Sequence, residues 1–241
     1  LLLVSSYLIG QYFLRKYKER EKINLRLSET RLEALKAQMN PHFTFNVMNS
    51  IQNFVLDNNV DKALYHISSF SKLIRATLDF STKKNITLLE EISFLQNYVE
   101  VHNMRYRNEV NFTIKYPEEI AKSILVPPMI IQPLIENVFV HAFKGDNMDQ
   151  QLELYISLDD ELSKAEYLNV VVKDNGGGRQ LGEEATHLSR GISITEERLK
   201  LMNKSSNKAI QLVYKDLVID NNNSTGTEVC LKIPLLLTFV N

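Results

Sequence analysis

A single cysteine, Cys230, stands in 241 residues, so no intrachain disulfide can form. Its strand-like setting points to a packed thiol in a reducing compartment. There is no charge excess of either sign: a net charge of −1 provides no basic field of the kind that holds nucleic acid, and no direct nucleic-acid contact is expected. Nothing repeats at a fixed period and no segment is low in complexity. The balance of 44% hydrophobic and 24% charged residues is that of an ordinary globular chain, long enough for one large domain or two modest ones.

Residues 1–14 are largely apolar and lead at once into Arg15, Lys16, Lys18, Arg20 and Lys22. A spanning helix needs about 20 apolar residues, so this run is too short alone. Read as the C-terminal end of a transmembrane helix, it has the cationic flank found on the cytoplasmic side. A soluble helix start and a signal-peptide remnant are the other readings. The first reading tethers the chain to the cell membrane through this segment and puts residues after about 15 in the cytoplasm. Residues 15–40 then read as a charged helix with a narrow apolar seam, a coiled-coil linker.

Pro41-His42 falls inside what otherwise reads as one long amphipathic helix, with Leu25, Leu32 and Met39 upstream and Phe43, Val47, Ile51, Phe54 and Val55 downstream. An internal proline removes a backbone donor and costs about 3 kcal/mol or more. One reading is a kink that turns the His42 imidazole outward as a nucleophile. The other is a helix boundary, with Pro41 in the first turn and Asn40 as cap. Asp57-Asn58-Asn59 marks a turn, and Ala63, Leu64, Ile67, Phe70, Leu73, Ile74 and Leu78 mark a second helix. Thr87 followed by Glu90 is a capping box opening a third, with Ile92, Leu95, Val99 and Met104 as its stripe. A helical hairpin hides its apolar faces poorly alone and gains by dimerising into a four-helix bundle.

Around Val110 the period changes. Val110, Phe112 and Ile114 alternate as in a strand, and Pro127-Pro128 precedes an apolar helix from Met129 to Phe143. Strands follow at Leu152–Leu158 and Tyr167–Lys173, then a Gly-rich loop, a helix near Ser193–Asn203, and strands at Ile210–Val218 and Glu228–Ile233. Helices segregated from a mixed sheet make the class α+β, with an α/β sandwich after a boundary near Asn108.

Several residues are equipped for chemistry. Asp174-Asn175-Gly176-Gly177-Gly178 follows a strand; the glycines allow a close ligand approach and the carboxylate can accept from an exocyclic amine, although such a turn is also an ordinary hairpin loop. Glu136-Asn137 sets a carboxylate and an amide side by side on a helix, and Mg2+ takes one or two such hard oxygens with phosphates and water completing its shell. Buried-backbone satisfaction is the plainer role for Asn137. His141, one turn on, is placed to reach the same phosphates or to sit idle at the surface. Gly191-Ile192 opens a helix whose N-terminus favours anions. Gly226-Thr227 precedes the last strand, as a ligand contact or a turn.

The order of these motifs, from Leu35 to Leu235, resembles the LytS/YehU-type sensor histidine kinases, whose nucleotide module belongs to the GHKL ATPase class with its Bergerat-type sandwich. Leu35–Asn46 is similar to their phosphoacceptor motif. Pro127-Pro128 through Gln132-Pro133-Leu134-Ile135-Glu136-Asn137 resembles their N box. Asp174–Gly178 resembles the first glycine box, Arg190-Gly191-Ile192 with Glu197-Arg198-Leu199 the second, and Gly226–Pro234 the closing strand. The resemblance implies a homodimer in which residues 41–108 form the dimerisation and phosphotransfer helices and 109–241 bind ATP. His42 would take the γ-phosphoryl group and pass it to an aspartate in a response-regulator receiver domain. Asn137 would hold Mg2+, with His141 near the phosphates, and Asp174 would bind adenine. Gly176, Gly178, Arg190, Gly191 and Thr227 would frame the nucleotide, under a lid of roughly residues 179–190.

Many histidine kinases carry an acid directly after the phosphorylated histidine; here Phe43 stands there, which leaves Glu136 as the carboxylate to take the His42 proton. Asn46, four residues after His42, is on the same helical face and would either orient a water for phosphatase chemistry or hydrogen-bond locally. Two positions depart from the family pattern: Val140 replaces a frequent lysine, and the second glycine box has the single Gly191. They leave open a non-catalytic reading, a dimeric adaptor with a degenerate nucleotide site. An ATPase working only by conformational change would leave Pro41-His42 without a role.

Overall fold

The computed structural model describes residues 16, 41–103, 110–143, 149–160, 164–177, 196, 199–200, 202–203, 208–219 and 223–237. The expected membrane segment, all of the linker but Lys16, the lid, Gly178, Arg190 and Gly191 lie outside them. Among the described residues no helix is long and apolar enough to cross a membrane. The chain forms two compact units, Leu1–Met48 and Asn49–Asn241.

The first unit is described almost wholly by the opening turns of α1 (Pro41–Leu56). His42 and Asn46 lie on this helix, one turn apart. Because the preceding residues are not described, both readings of Pro41 stand.

In the second unit α1 ends in a Schellman motif. Asn58 adopts a left-handed φ of 55°, Asn59 N–H donates to Phe54 O at 2.8 Å, and Asn58 N–H donates to Val55 O at 3.1 Å. The Asn59 side chain then accepts from Lys62 N–H at 3.3 Å and starts α2 (Val60–Thr82), so one asparagine pair closes one helix and opens the next. The face of α2 that carries Ala63, Phe70, Leu73 and Phe80 is buried, whereas Val60, Leu64, Ile67 and Leu78 on another face are exposed.

Short β1 (Ile86–Thr87) leads into α3 (Leu88–Asn103), which opens on the expected capping box. Thr87 N–H donates to Glu90 Oε2 at 2.7 Å and Glu90 N–H donates to Thr87 Oγ1 at 3.1 Å. Helix α3 meets α2 through the Phe80–Phe94 ring pair (5.5 Å) and the Asn97 amide on Ser69 O (3.1 Å). The Tyr65 hydroxyl also donates to Glu100.

The remaining strands are β2 (Asn111–Lys115), β3 (Ile124–Val126), β4 (Gln151–Leu158), β5 (Tyr167–Asp174), β6 (Gln211–Ile219), β7 (Asn223–Pro234) and β8 (Leu236–Leu237). Five form a sheet in the order β2-β4-β5-β7-β6, with only the β2–β4 pair parallel. Alternation puts Leu152, Leu154, Leu168, Val170, Val172 and Leu231 on the buried face. A second, three-stranded antiparallel sheet runs β1-β3-β8. Helices first and a mixed sheet after them are the α+β class expected from the sequence.

Two expectations change. The helix expected over Met129–Phe143 begins only at Gln132: Met129 has φ +52°, outside helical space, and α4 spans Gln132–Asn137. Contacts also do not break near Asn108, because β1 pairs with β3 and the fully buried Glu91 of α3 accepts from Met129 N–H at 2.8 Å and from Ile131 N–H at 3.1 Å. Helix α3 is therefore packed into the sheet-bearing region.

Candidate nucleotide site

Helix α4 carries Glu136 and Asn137, both half-buried, at its last two positions. Directly after Asn137 the backbone widens into a π-helical turn, Val138–Ala142, closed by Phe143 N–H on Val138 O at 3.1 Å. Such single π-turns inside helices occur often at functional sites. His141 lies in this turn, half-buried, so its angular offset from Asn137 is not that of a regular α-helix. Val140, where the family often has lysine, is exposed.

The π-turn ends against the glycine box. Ala142 O accepts from Gly177 N–H at 3.3 Å, and a Cβ on Gly176 would lie 2.5 Å from that same oxygen and 2.6 Å from the Ala142 Cβ. Only glycine fits at 176, and the requirement comes from the helix that carries Asn137. The turn is pinned from its other side by Asn175. Its side-chain amide donates to Asp149 O at 2.7 Å and accepts from Gln151 N–H at 2.8 Å.

Asp174, at the end of β5, is opposite Leu152 on one side and Thr227 on the other. Next to Thr227, Gly226 has φ +153°, and a Cβ there would sit 2.0 Å from Asp174 O, so this glycine too is demanded by close approach. Both Asp174 and Thr227 are buried. Burial raises the Asp174 pKa, and the backbone amides of Gly176 (2.9 Å to Oδ1) and Thr227 pull it only partly back. Desolvation outweighs two amide donors, so this carboxylate would gain from a further donor delivered by a ligand. That demand fits an adenine amine.

Within the second unit the structure thus brings Asn137, His141, Asp174, Gly176 and Thr227 to one end of the sheet, joined through Ala142–Gly177 and Asp174–Thr227. His42 and Asn46 belong to the other unit. Among the described residues no cluster of three His, Cys, Asp or Glu could hold a metal. Sequence reasoning passed over Asn175 as a turn residue and gave no role to Glu91. Nothing local in the sequence announces their partners. A separate cleft of about 960 Å³, lined by Phe54, Tyr65, His66, Glu100 and Phe112 among others, contains none of these site residues.

Residues 30–110 match the histidine kinase family model. Over 171 residues the chain is 33% identical to the sensor histidine kinase/phosphatase LytS of Staphylococcus aureus, an alignment covering 71% of this chain and 28% of that protein. Over most of its length the chain thus resembles the LytS-type sensor histidine kinases. The sensor protein LytS of Staphylococcus epidermidis aligns at 32% identity over 152 residues, 63% of this chain and 24% of that protein. The chain spans about a quarter of the length of these relatives. Among solved structures, the histidine kinase domain of a blue-light activated kinase from Erythrobacter litoralis aligns at 15% identity and a TM-score of 0.44, over 81% of this chain and 96% of that one.

Proposed function

We propose that this chain is the kinase part of a membrane-tethered, dimeric sensor that phosphorylates its own His42 from ATP and passes the group to a receiver-domain aspartate. The observation that carries the reading is the junction at Gly176: the Asn137 helix and the Asp174 turn meet so closely that only glycine is accommodated. That pairs a candidate metal-side amide with a candidate adenine acceptor in a chain that also carries the His42 motif.

In the proposed step an imidazole nitrogen of His42 bonds to the γ-phosphorus as the bond to the β–γ bridging oxygen breaks, and ADP leaves. Glu136 takes the ring proton. Asn137 would hold the Mg2+, which neutralises phosphate charge when bound. Neutral imidazole is already nucleophilic, so positioning and electrostatics supply most of the rate. Asp174 and Thr227 orient the adenine end, and by the family resemblance Gly178, Arg190 and Gly191 would frame the nucleotide. Asn46 orients a water for the opposing phosphatase step or holds His42.

The exposed residues Val60, Leu64, Ile67 and Leu78 follow helical spacing on one face of α2, which supports a four-helix bundle between two copies. Because α3 is bonded to the sheet region, we place the junction between phosphotransfer and ATP-binding parts near residues 83–85, not near Asn108. The exposed Val140 favours a second reading, in which the chain binds nucleotide as a non-catalytic adaptor.

Incubation with labelled ATP and Mg2+ decides between them. The kinase reading expects acid-labile, base-stable phosphate on the wild type and none on His42→Gln. A wild type that binds ATP and stays unlabelled is the adaptor.

A further inference from the structure

We propose that Glu91 is a positioning residue for the nucleotide helix, fixing where α4 begins and hence where Asn137 points; this rests on the kinase reading above. Glu91 lies in the first turn of α3 and is fully buried. Its two carboxylate oxygens take one backbone N–H each, from Met129 at 2.8 Å and Ile131 at 3.1 Å. These amides lie three residues and one residue before α4. Met129 is held at φ +52°, a conformation that a side-chain-bearing residue adopts reluctantly. Ile131 occupies the cap position and has no side-chain cap bond of its own. An acid from another helix instead binds the N–H of that cap residue.

A buried carboxylate is costly to desolvate, and its amide donors are what offset that cost. What a carboxylate adds is direction: two acceptors on one rigid group set two amides two residues apart. From Ile131 the chain runs through six helical residues to Asn137, a lever of about 9 Å. A swing of roughly ten degrees at its base would move the tip by about 1.5 Å. A misplacement of about 1 Å at a reacting centre is enough to cost about a hundredfold in rate. The same α3 touches the other end of the lever, where His102 stacks on Phe139 of the π-turn at 4.3 Å and 19°.

The test uses Glu91→Gln, which keeps the shape but presents an NH2 group to one of the two amides. The neighbouring core change Ile92→Val is the control, lowering stability without touching either bond. Two quantities are read per folded molecule: the rate of His42 labelling at saturating ATP, and the gain in ATP affinity when Mg2+ replaces EDTA. Glu91→Gln is expected to label about a hundredfold more slowly and to lose most of the Mg2+ gain, with its affinity in EDTA unchanged. Ile92→Val should match the wild type in both. Labelling within threefold of wild type, or the same losses in Ile92→Val, overturns the proposal. An unlabelled wild type defeats the kinase reading instead, and the Mg2+ gain alone then decides on Glu91. If Glu91→Gln does not fold, hydrogen exchange on the wild type replaces it. The Met129 and Ile131 amides must be protected without nucleotide as well as those inside α3, and loop-like exchange there refutes the assignment.

Discussion

Helices α2 and α3 lie side by side and dispose of their apolar residues in opposite ways. Helix α3 buries nine of its 16 residues, including an acid and a histidine, and is finished by the sheet region it packs into. Helix α2 buries six of 23 and leaves Val60, Leu64, Ile67 and Leu78 in solvent. Exposed apolar residues scattered singly need no explanation, but a row at helical spacing on one face does. The contrast separates a helix closed by its own chain from one that, under the dimer proposed above, is closed by a second copy.

The comparison breaks most sharply at Asn137. Asn137→Ala should abolish His42 labelling, by about a thousandfold or more, because positioning and charge neutralisation supply most of the rate. Its dimer, measured by light scattering, should be unchanged. Dimer loss in this variant would mean that the two regions are not separable. On the other side, Leu64→Glu with Ile67→Glu should raise the dimer dissociation constant at least about a hundredfold, since each burial is worth about 1.5–3 kcal/mol. ATP affinity in that variant should stay at the wild-type value. A variant that remains dimeric would move the interface off this face of α2.

Asp174→Asn sharpens the account of the nucleotide end. Losing the carboxylate acceptor should weaken ATP binding roughly tenfold to a hundredfold, by analogy with other charge-assisted hydrogen bonds. Stability should move the other way. Burial raises the folded-state pKa of Asp174 above its ordinary value of 3.8. Its contribution is therefore greatest below the unfolded pKa and is lost as pH rises through the folded one. Thermal melts at pH 7 should show the asparagine variant at or above the wild type, with the gap closing towards pH 3. A clear loss of stability at pH 7 would make Asp174 structural.

The smallest effect is expected at the α3 cap. Glu90 has its pKa lowered chiefly by the Thr87 N–H, with Lys83 at 3.1 Å helping. This stabilisation is present above the unfolded value and lost as pH falls through the folded one. The side chain is 42% exposed, so Glu90→Gln should cost only roughly 0.3–1 kcal/mol at pH 7 and nothing at pH 3. An undiminished difference at pH 3 would point to packing instead of charge.

What was legible in the sequence was whatever a few neighbouring residues determine. Thr87 with Glu90, the Asp57–Asn59 turn and the alternation along β4 and β5 carry their structural meaning locally. The small sheet β1-β3-β8 was not legible, because strands of two or three residues have no period to read. The π-turn was hidden for a related reason: one added residue per turn leaves Val138, Phe139 and Phe143 looking like an ordinary apolar helix face. Of the candidate site, the residue types and their order could be read. The reason for Gly176 could not, since its partner is the Ala142 carbonyl. Glu91 looked like one more charge in a helical first turn, and its partners are 38 and 40 residues further on.

The Asn175 amide that holds the glycine turn bonds two residues, Asp149 and Gln151, whereas two other asparagines each hold a single one. The Asn103 amide donates to Val110 O at 3.1 Å and accepts from its N–H at 3.2 Å, and Asn203 does the same for Ile210 at 3.0 and 2.7 Å. Each grips both backbone polar groups of the residue just before a strand, as a neighbouring strand would. The path between the gripped points is thereby relieved of setting the register of the strand beyond it. Loop-closure cost rises slowly with length, about 0.6 kcal/mol for each doubling. Insertions between positions 103 and 110, or between 203 and 210, are therefore expected to leave the β2–β4 and β6–β7 pairing in register.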